Sequence, residues 1–291
     1  MCVPQRDFEP NACREVVNRW IVGETAKTVA QVTQAIEAHK FNEAAGAVYR
    51  FAWGTFCDWY VEFIKPLLAE ASLLAREETR ACAAWTLQQI LHLLHPFMPF
   101  VTEELWQNLM EPGEMSLVVC PWPDHSSLNI DADAGTEMDW VVRLVSDVRA
   151  VRVEMNVPPG VMIDMHLLGS QANSRRRLAA HEAVIKRLAR IRTVVLDGSV
   201  PAGSAQLVVD EATVVLPLAG VIDVAKERDR LGRELGRLDG EIAKLDAKLD
   251  NADFLAKAPG QVVEMQRERR AEAEGARSRL AEALVRIGAD T

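Results

Sequence analysis

The sequence predicts a mainly α-helical protein built from a helical bundle, a small α+β module and a C-terminal antiparallel coiled-coil hairpin. Two changes in the sequence pattern predict this division. Apolar residues recur at helical spacing in the first half, which also contains every Trp and Tyr, the last being Trp140. Beyond Pro158 the apolar residues alternate as in half-buried strands, and from Val224 they follow a heptad. The predicted domains are therefore residues 1–157, 158–220 and 221–291.

The composition is that of a globular protein, with 49% hydrophobic and 26% charged residues in a chain of 291. No apolar run is long enough to span a bilayer, and the first ten residues, MCVPQRDFEP, lack the features of a signal peptide. The five cysteines are scattered, without the spacing of a zinc site, which favours a reducing compartment. We therefore expect a cytoplasmic protein that contacts no membrane.

The bundle is predicted to form around one long helix, FNEAAGAVYRFAWGTFCDWYVEFIKP, which runs from Phe41 to Pro66. Its residues at helical spacing define an apolar face that we expect to be buried: Phe41, Ala45, Val48, Ala52, Phe56, Trp59 and Phe63. Pro66 disfavours helical geometry at Lys65, so the helix is predicted to end there. The other helices of the bundle are predicted over residues 10–39, 70–95 and 137–156, with a short helix beginning at Thr102.

Arg50 and Trp53 lie away from the apolar face of this helix. An exposed indole beside a guanidinium could stack an unpaired nucleic-acid base. A central bundle helix that is buried on several sides also carries aromatic residues on several faces, and this is the more common case. The two interpretations are compatible, and the sequence leaves both open.

The middle of the chain is predicted to form a β-α-β-β-β module. Alternating apolar residues predict a strand over 161–167, and a helix follows over 174–190. Three further strands are predicted over 194–196, 206–209 and 213–216, the last two flanking a tight turn at Asp210 and Glu211.

The last part of the chain is predicted to form two helices that pack on each other. The apolar positions of the first helix alternate spacings of four and three: Leu231, Leu235, Leu238, Ile242, Leu245 and Leu249. The seam resumes, less regularly, after a break at 254–260. Acidic residues flank the seam of the first helix and arginines flank the second, so we expect an antiparallel hairpin in which Asp239 pairs with Arg277 and Asp246 with Arg270.

No catalytic constellation is present, because the sequence lacks a Gly-rich phosphate loop, GxSxG and HExxH. Cations form two groups instead. The first, the basic ridge, occupies the outer face of the first coil helix and consists of Arg230, Arg233, Arg237 and Lys244. The second lies on the predicted helix of the small module and consists of Arg175, Arg176, Lys186 and Arg187, beside Arg177 and Arg190.

Neither group is specific by itself, because most coiled coils carry charges at their outer positions. The net charge of −9 argues weakly against nucleic acid, but the acidic excess lies before Gly135. Two cationic groups together with Arg50 and Trp53 favour RNA over a peptide.

Several stretches resemble class I aminoacyl-tRNA synthetases. LLHPFMPFVTEELWQ resembles the valine, isoleucine and leucine types alike, whereas three stretches are closer to the valine type: FCDWYVEFIKP, VRVEMNVPPG and NADFLAKAP. The resemblance covers nearly the whole chain and implies the anticodon-binding bundle and the C-terminal coiled-coil arm of that family. It implies valine tRNA as the partner, with the bundle on the anticodon stem-loop, the hairpin on the corner of the tRNA, and a monomeric state. ATP and Mg²⁺ would serve the full-length enzyme.

The family's HIGH-like and KMSKS-like motifs and its editing domain are absent from this sequence. We therefore expect a C-terminal fragment that holds no cofactor and is inactive alone. Two alternatives stay open. One is a helical scaffold for protein–protein interaction, and the other is the same region of a different class I synthetase, such as the isoleucine type.

Overall fold

The computed structural model describes residues 8–110, 113, 115–251, 254, 256 and 259–287. The chain forms two compact units, Met1–Val142 and Arg143–Thr291. It is mainly helical with one small four-stranded sheet, which confirms the predicted fold class. The boundary between the units lies within a helix, and the three-part division made from the sequence stays a prediction.

The first unit is a bundle whose helices follow one another with short connections. The helices are α1 (Val16–Glu37), α2 (Phe41–Tyr49), a π-helical segment (Arg50–Tyr60), α3 (Val61–Glu70), α4 (Leu73–Leu94), α5 (Pro99–Leu109) and the start of α6 (Ala132–Glu154). Short 3-10 turns occur at Pro10–Ala12 and Leu117–Val119. One core cluster joins α1, α2 and α4 around Val32, Val48 and Leu93. None of the helices in the described ranges is both long and apolar enough to cross a bilayer.

The helix predicted over 41–66 buries Val48 and Phe63 of the expected face, but the buried face differs in its middle, which is π-helical. Phe41 is 56% exposed and Trp59 is only half-buried, whereas Phe51 and Tyr60 are buried. Phe51 and Tyr60 are nine residues apart, and two α-helical turns span only about seven residues. Hydrogen bonds from residue i to i+5 lengthen each turn, so the next buried position after Phe51 falls at Tyr60 rather than near Trp59.

The prediction that this helix ends at Pro66 is wrong, since α3 continues to Glu70 with Pro66 inside it. A proline inside a helix removes one backbone hydrogen bond and strains the preceding turn. Phe63 and Ile64 are buried on one side of Pro66, and Leu67 is half-buried on the other. Packing of these side chains holds the backbone helical despite the proline.

A polar network inside the bundle centres on Asn18 of α1, which is fully buried. Its amide nitrogen donates to Glu78 Oε1 at 2.9 Å and to Thr79 Oγ1 at 3.1 Å. Its amide oxygen accepts the hydroxyl of Tyr60 at 2.9 Å. Every polar atom of the Asn18 side chain is therefore paired, which fixes α1, α4 and the π-helical segment relative to one another.

The second unit contains the predicted β-α-β-β-β module. Its elements are β1 (Ile163–Leu168), α7 (Ala172–Ala189), β2 (Ile191–Leu196), β3 (Ser204–Val209) and β4 (Ala212–Pro217). The sheet order is β2-β1-β4-β3, with β1 and β2 parallel and the other pairs antiparallel. The predicted tight turn is confirmed, since Val209 pairs with Ala212 and Asp210 has a φ of 52°.

Two arginines attach the end of α6 to this module. Arg152 is buried, and its Nη2 donates to the carbonyl oxygens of Val161, at 2.7 Å, and Pro158, at 3.2 Å. Arg149 Nε donates to the carbonyl oxygen of Leu188 at 2.9 Å. Burial, followed by the nearby charge of Arg190, lowers the pKa of Arg152, yet its several carbonyl acceptors satisfy the guanidinium.

The predicted antiparallel hairpin is confirmed by α8 (Val224–Leu249) and α9 (Gly260–Ile287), which pack along their length. Arg277 Nε bonds to Asp239 Oδ1 at 2.5 Å, and Arg270 pairs with Asp246, as expected from the flanking charges. A step of seven residues forward along α8 is thus a step of seven backward along α9. The predicted bend, 254–260, lies largely outside the described residues, as does the side chain of Ile287.

Candidate nucleic-acid interface

An exposed cluster of Tyr49, Arg50 and Trp53 lies where α2 passes into the π-helical segment; we call it the aromatic–cationic cluster. Tyr49 is 65% and Trp53 60% exposed, and Arg50 is exposed between them. The two aromatic side chains are four residues apart, so they lie on neighbouring turns of one face. Two exposed rings beside a guanidinium suit the stacking of unpaired bases.

Gly46, one turn before Arg50, leaves the space that the guanidinium occupies. A Cβ built at Gly46 would lie 3.2 Å from Arg50 Nη1. The Arg50 side chain therefore folds back along α2, while Trp53 faces open solvent. The structure thus leaves both Arg50 and Trp53 outside the core, as the sequence predicts, and adds the exposed Tyr49. The spacing of four between Tyr49 and Trp53 could have identified Tyr49 from the sequence.

The basic ridge on α8 does not present four equivalent cations. Arg233 and Lys244 are exposed, and eleven residues, or about three turns, bring them back to one face. No carboxylate in the described part of the chain contacts Lys244. Among the described residues, the one acceptor of the Arg233 side chain is a backbone oxygen of its own helix, that of Asp229, at 3.2 Å. These two cations of the ridge are therefore the ones that no carboxylate among the described residues occupies.

Arg230 and Arg237 have carboxylate partners within the protein. Arg230 pairs with the buried Glu227 and donates to the carbonyl oxygen of Glu154 at 3.2 Å, so it belongs to the junction between α8 and α6. Arg237 lies between Glu234, at 2.7 Å, and Glu241, at 3.2 Å. The hydrogen bonds that Arg237 donates to Glu234 raise the pKa of Arg237, so its proton is held more firmly. A phosphate would have to displace both carboxylates.

The second cationic group of the sequence, Arg175, Arg176, Lys186 and Arg187, lies on α7, and we call it the α7 cluster. It is likewise partly engaged. Arg175 donates to both oxygens of Asp197, the nearer at 2.9 Å, and Lys186 pairs with Glu182 at 3.0 Å. Arg176 and Arg187 are exposed but also make interactions within the protein. Exposed ion pairs of this kind contribute little to folding and can be exchanged for other anions.

The acids of the β3–β4 turn lie close to the start of α7. Glu211 accepts the hydroxyl of Ser174 at 2.6 Å and the backbone N–H of Gln171 at 3.1 Å. These hydrogen bonds, that of Ser174 above all, lower the pKa of Glu211. Asp210 is bound by Arg143 at 2.6 Å. The first turn of α7 therefore already has an anionic neighbour, which makes the later cations of the helix the better sites for a polyanion.

The residues fit neither a metal centre nor a nucleotide-binding site. Within the described ranges, no group of three or more His, Cys, Asp or Glu side chains could hold a metal ion. The sequence also lacks a phosphate-binding loop.

Two family models match this chain, each over one of the surfaces described above. The model for the anticodon-binding domain of tRNA ligase matches residues 18–167, which is more than half of the chain and includes the aromatic–cationic cluster. The chain belongs to this anticodon-binding family. A second model, for the valyl tRNA synthetase tRNA binding arm, matches residues 223–288, which include the whole basic ridge.

Curated relatives agree with both matches. The chain is 47% identical over 289 residues to the valine–tRNA ligase of Caulobacter vibrioides, 45% identical over 286 to that of Mesorhizobium japonicum, and 45% identical over 283 to that of Rhizorhabdus wittichii. These alignments cover 97–98% of this chain but only 30–32% of each relative. The chain therefore spans about a third of the length of the ligases it resembles.

The two candidate surfaces fall in the regions matched by two different family models. The aromatic–cationic cluster lies in the anticodon-binding domain, and the basic ridge lies in the arm. The α7 cluster, at residues 175–187, lies between the two matched regions. It is thus the least supported of the three as a contact surface.

Proposed function

We propose that this chain is a tRNA-binding part of a valine–tRNA ligase, in which the bundle contacts the anticodon stem-loop and the coiled-coil hairpin contacts the sugar-phosphate backbone at the corner of the tRNA. The observation that carries the proposal is that two separate tRNA-binding family models match two separate parts of the fold. Exposed aromatic and cationic side chains occur in both parts, in the forms suited to each contact.

In the longer protein, this part would orient valine tRNA for its ATP-dependent charging with valine. We assign the ATP and Mg²⁺ of that reaction to the part of the ligase that this chain does not cover, because the HIGH-like and KMSKS-like motifs are absent from this sequence. The aromatic–cationic cluster would stack anticodon-loop bases through Arg50 and Trp53. Arg233 and Lys244, with Arg230, Arg237 and the α7 cluster in support, would contact phosphates. We further propose a monomeric, cytoplasmic protein.

Gel-shift titration tests the proposal, using the 291-residue chain with valine tRNA and with an unrelated tRNA. We expect tighter binding of valine tRNA. Equal binding of the two tRNAs would leave only a nonspecific electrostatic contact, and absence of binding to either would refute the proposal.

An anticodon exchange then separates the valine type from the isoleucine type. Valine tRNA carrying the isoleucine anticodon should bind more weakly than valine tRNA, because the bundle is proposed to contact the loop bases. The reverse preference would indicate that the chain serves isoleucine tRNA.

An exposed apolar surface on α5 supports a second candidate function, that of a scaffold for protein–protein interaction. Phe100 is 91% exposed, and Val101 and Leu105, four residues apart, are also exposed. Apolar residues in such a group commonly mark a protein contact. Phe100→Asp should abolish capture of a protein partner and leave tRNA binding unchanged, if the two functions use different surfaces.

A further inference from the structure

A cavity of about 460 Å³ opens between the end of α1, the start of α2 and the segment that follows α4. We call it the Trp122 pocket. The residues that line it include Thr33, Ile36, Glu37, Phe41, Phe97 and Trp122. Its volume is within the range of small-molecule sites. It lies in the first unit, and it does not include the aromatic–cationic cluster.

The walls of the Trp122 pocket are held in place by the core. Ile36 and Phe97 pack against the buried cluster that joins α1, α2 and α4. The indole N–H of Trp122 donates to Thr33 Oγ1 at 2.8 Å, and the Thr33 hydroxyl donates in turn to the carbonyl oxygen of Val29 at 2.8 Å. A ligand therefore meets walls that are already ordered, which lowers the entropic cost of binding.

Phe41 supplies an exposed aromatic surface at the mouth of the pocket. Its ring lies 6.3 Å from that of His39, and more than half of its side chain is exposed. The sequence predicts Phe41 as a buried member of the apolar face, but the structure leaves it at the surface. With Phe97 and Trp122, it gives the pocket three aromatic rings, a composition suited to a planar ligand.

Glu37 is the polar group of the pocket that remains available. It is exposed, it is the last residue of α1, and the last turn of that helix contains no basic residue. A carboxylate is disfavoured at this end of a helix, so helix stability does not explain its position. No cation among the described residues contacts it, since the neighbouring Lys40 pairs with Glu43 at 3.1 Å. The Glu37 carboxylate can therefore accept hydrogen bonds from a ligand.

We propose that the Trp122 pocket binds one unpaired base of the tRNA, namely a base that carries an exocyclic amino group. The base stacks against the aromatic walls, and its amino group donates to Glu37. Uracil is disfavoured because carbonyl oxygens flank its only N–H on the pairing edge, and a phosphate is repelled by the carboxylate. This inference rests on the proposed function, because it takes tRNA as the ligand.

The first test follows Trp122 directly in the 291-residue chain labelled with 5-fluorotryptophan. The chain has seven Trp residues, and Trp122→Phe assigns the Trp122 signal among the fluorine resonances. The probes are valine tRNA and a series of variants, each with one abasic nucleotide in the anticodon loop. We expect intact tRNA to shift the Trp122 resonance. One abasic position should abolish that shift and weaken binding by about 5- to 150-fold, the effect of losing one stacked base.

The second test is a double-mutant cycle between Glu37 and the amino group. At the abasic-sensitive position, the base is replaced by its analogue without the amino group. Removal of the amino group should weaken binding of the tRNA to the native chain by about 5- to 150-fold, the range for a hydrogen-bonded contact to a base. In Glu37→Ala, the same removal should not change the affinity, because the acceptor of the amino group is already absent. Phe41→Ala should also weaken binding, whereas Phe100→Ala, which truncates an even more exposed Phe outside the pocket, should not.

The outcomes separate this inference from the proposed function. If valine tRNA binds but no abasic position affects Trp122, and Phe41→Ala binds normally, the pocket is not a base site while the proposed function stands. If the amino group and Glu37 act additively, the assigned recognition is wrong. If no tRNA binds at all, the proposed function fails and this inference fails with it.

Discussion

At the scale of single residues, exposure distinguishes side chains that support the fold from those available to a ligand. In the helix from Phe41 to Glu70, Tyr60 is buried and bonded to Asn18, Trp59 is half-buried, and Trp53 is exposed. The sequence supports the placement of Trp53 outside the core, because it lies off the apolar stripe. It could not distinguish Trp59 from Tyr60, because a helical period of 3.6 is assumed and the π-helical hydrogen bonds change it.

The first prediction concerns the aromatic–cationic cluster. Arg50→Ala with Trp53→Ala should weaken tRNA binding by roughly 1–3 kcal/mol, the value of one stacked base, and should leave the melting temperature of the bundle nearly unchanged. Filter binding and thermal denaturation measure the two effects. Leu74→Ala, which truncates an exposed apolar residue of α4, is the matched control and should not alter binding. A marked fall in melting temperature for the double variant would show that Trp53 supports the core.

The second prediction concerns His92, whose ring packs edge-on against Trp106 with centroids 4.9 Å apart. Burial, followed by the charges of His95 and His125, lowers the pKa of His92 to about 4 from its usual 6.5. The unfolded chain therefore binds a proton between pH 6.5 and 4 that the folded chain does not. The stability that this neutral ring contributes is complete above pH 6.5 and is lost as the pH falls through that window.

Urea denaturation at pH 7.5 and pH 5 measures this effect. Because the ring is only partly buried, we expect the native chain to lose about 1–2 kcal/mol more than His92→Phe over this interval. The Phe variant keeps an aromatic ring beside Trp106 but cannot titrate. Equal losses in the two proteins would show that His92 does not contribute to the pH dependence.

At the scale of elements, the heptad pattern predicted the two helices of the hairpin correctly, because the pattern is local in sequence and repeats every seven residues. The flanking charges predicted both the antiparallel direction and the pairs of Asp239 and Asp246 with their arginines, and both predictions are confirmed. The sequence pattern did not identify Gln266, which is buried on α9 with an Oε1 that has no hydrogen-bond partner among the described residues. A polar residue does not register as part of an apolar seam, although buried polar residues often fix the register of coiled coils.

The third prediction tests the Asp239–Arg277 pair by exchanging its charges. Asp239→Arg alone should destabilise the hairpin by about 0.2–1 kcal/mol, since the pair is half-exposed and like charges would then meet across the seam. Adding Arg277→Asp should restore most of the loss. A double-mutant cycle in urea gives the coupling energy. If the second substitution adds to the loss of the first, the two side chains do not interact in solution.

At the scale of the whole molecule, the sequence predicted the set of domains more completely than the contact surfaces. Fold class and family depend on patterns that extend over many residues, so single errors such as the end at Pro66 do not change them. The availability of a cation depends on its neighbours in space. Arg230 and Lys244 are two heptads apart and so occupy equivalent positions. Yet Arg230 is bound to Glu227 and the backbone of Glu154, contacts that no local pattern contains.

This difference in availability leads to the last prediction, which concerns the basic ridge. A cation that releases counterions on binding a phosphate contributes about one unit to the slope of log affinity against log salt. Arg233 and Lys244 have no carboxylate partner in the described chain, so each can contribute fully. Arg237 must first leave Glu234 and Glu241, which reduces its net gain.

We therefore expect Arg233→Gln with Lys244→Gln to flatten the salt slope for any tRNA by about two units, and to weaken binding similarly for valine tRNA and an unrelated one. Circular dichroism should show unchanged helicity, because neither side chain packs in the seam. Arg237→Gln is the matched control, with an expected change of less than one unit. An unchanged slope in the double variant would mean that α8 does not face the tRNA, and an equal effect of Arg237→Gln would mean that its two carboxylates do not limit it.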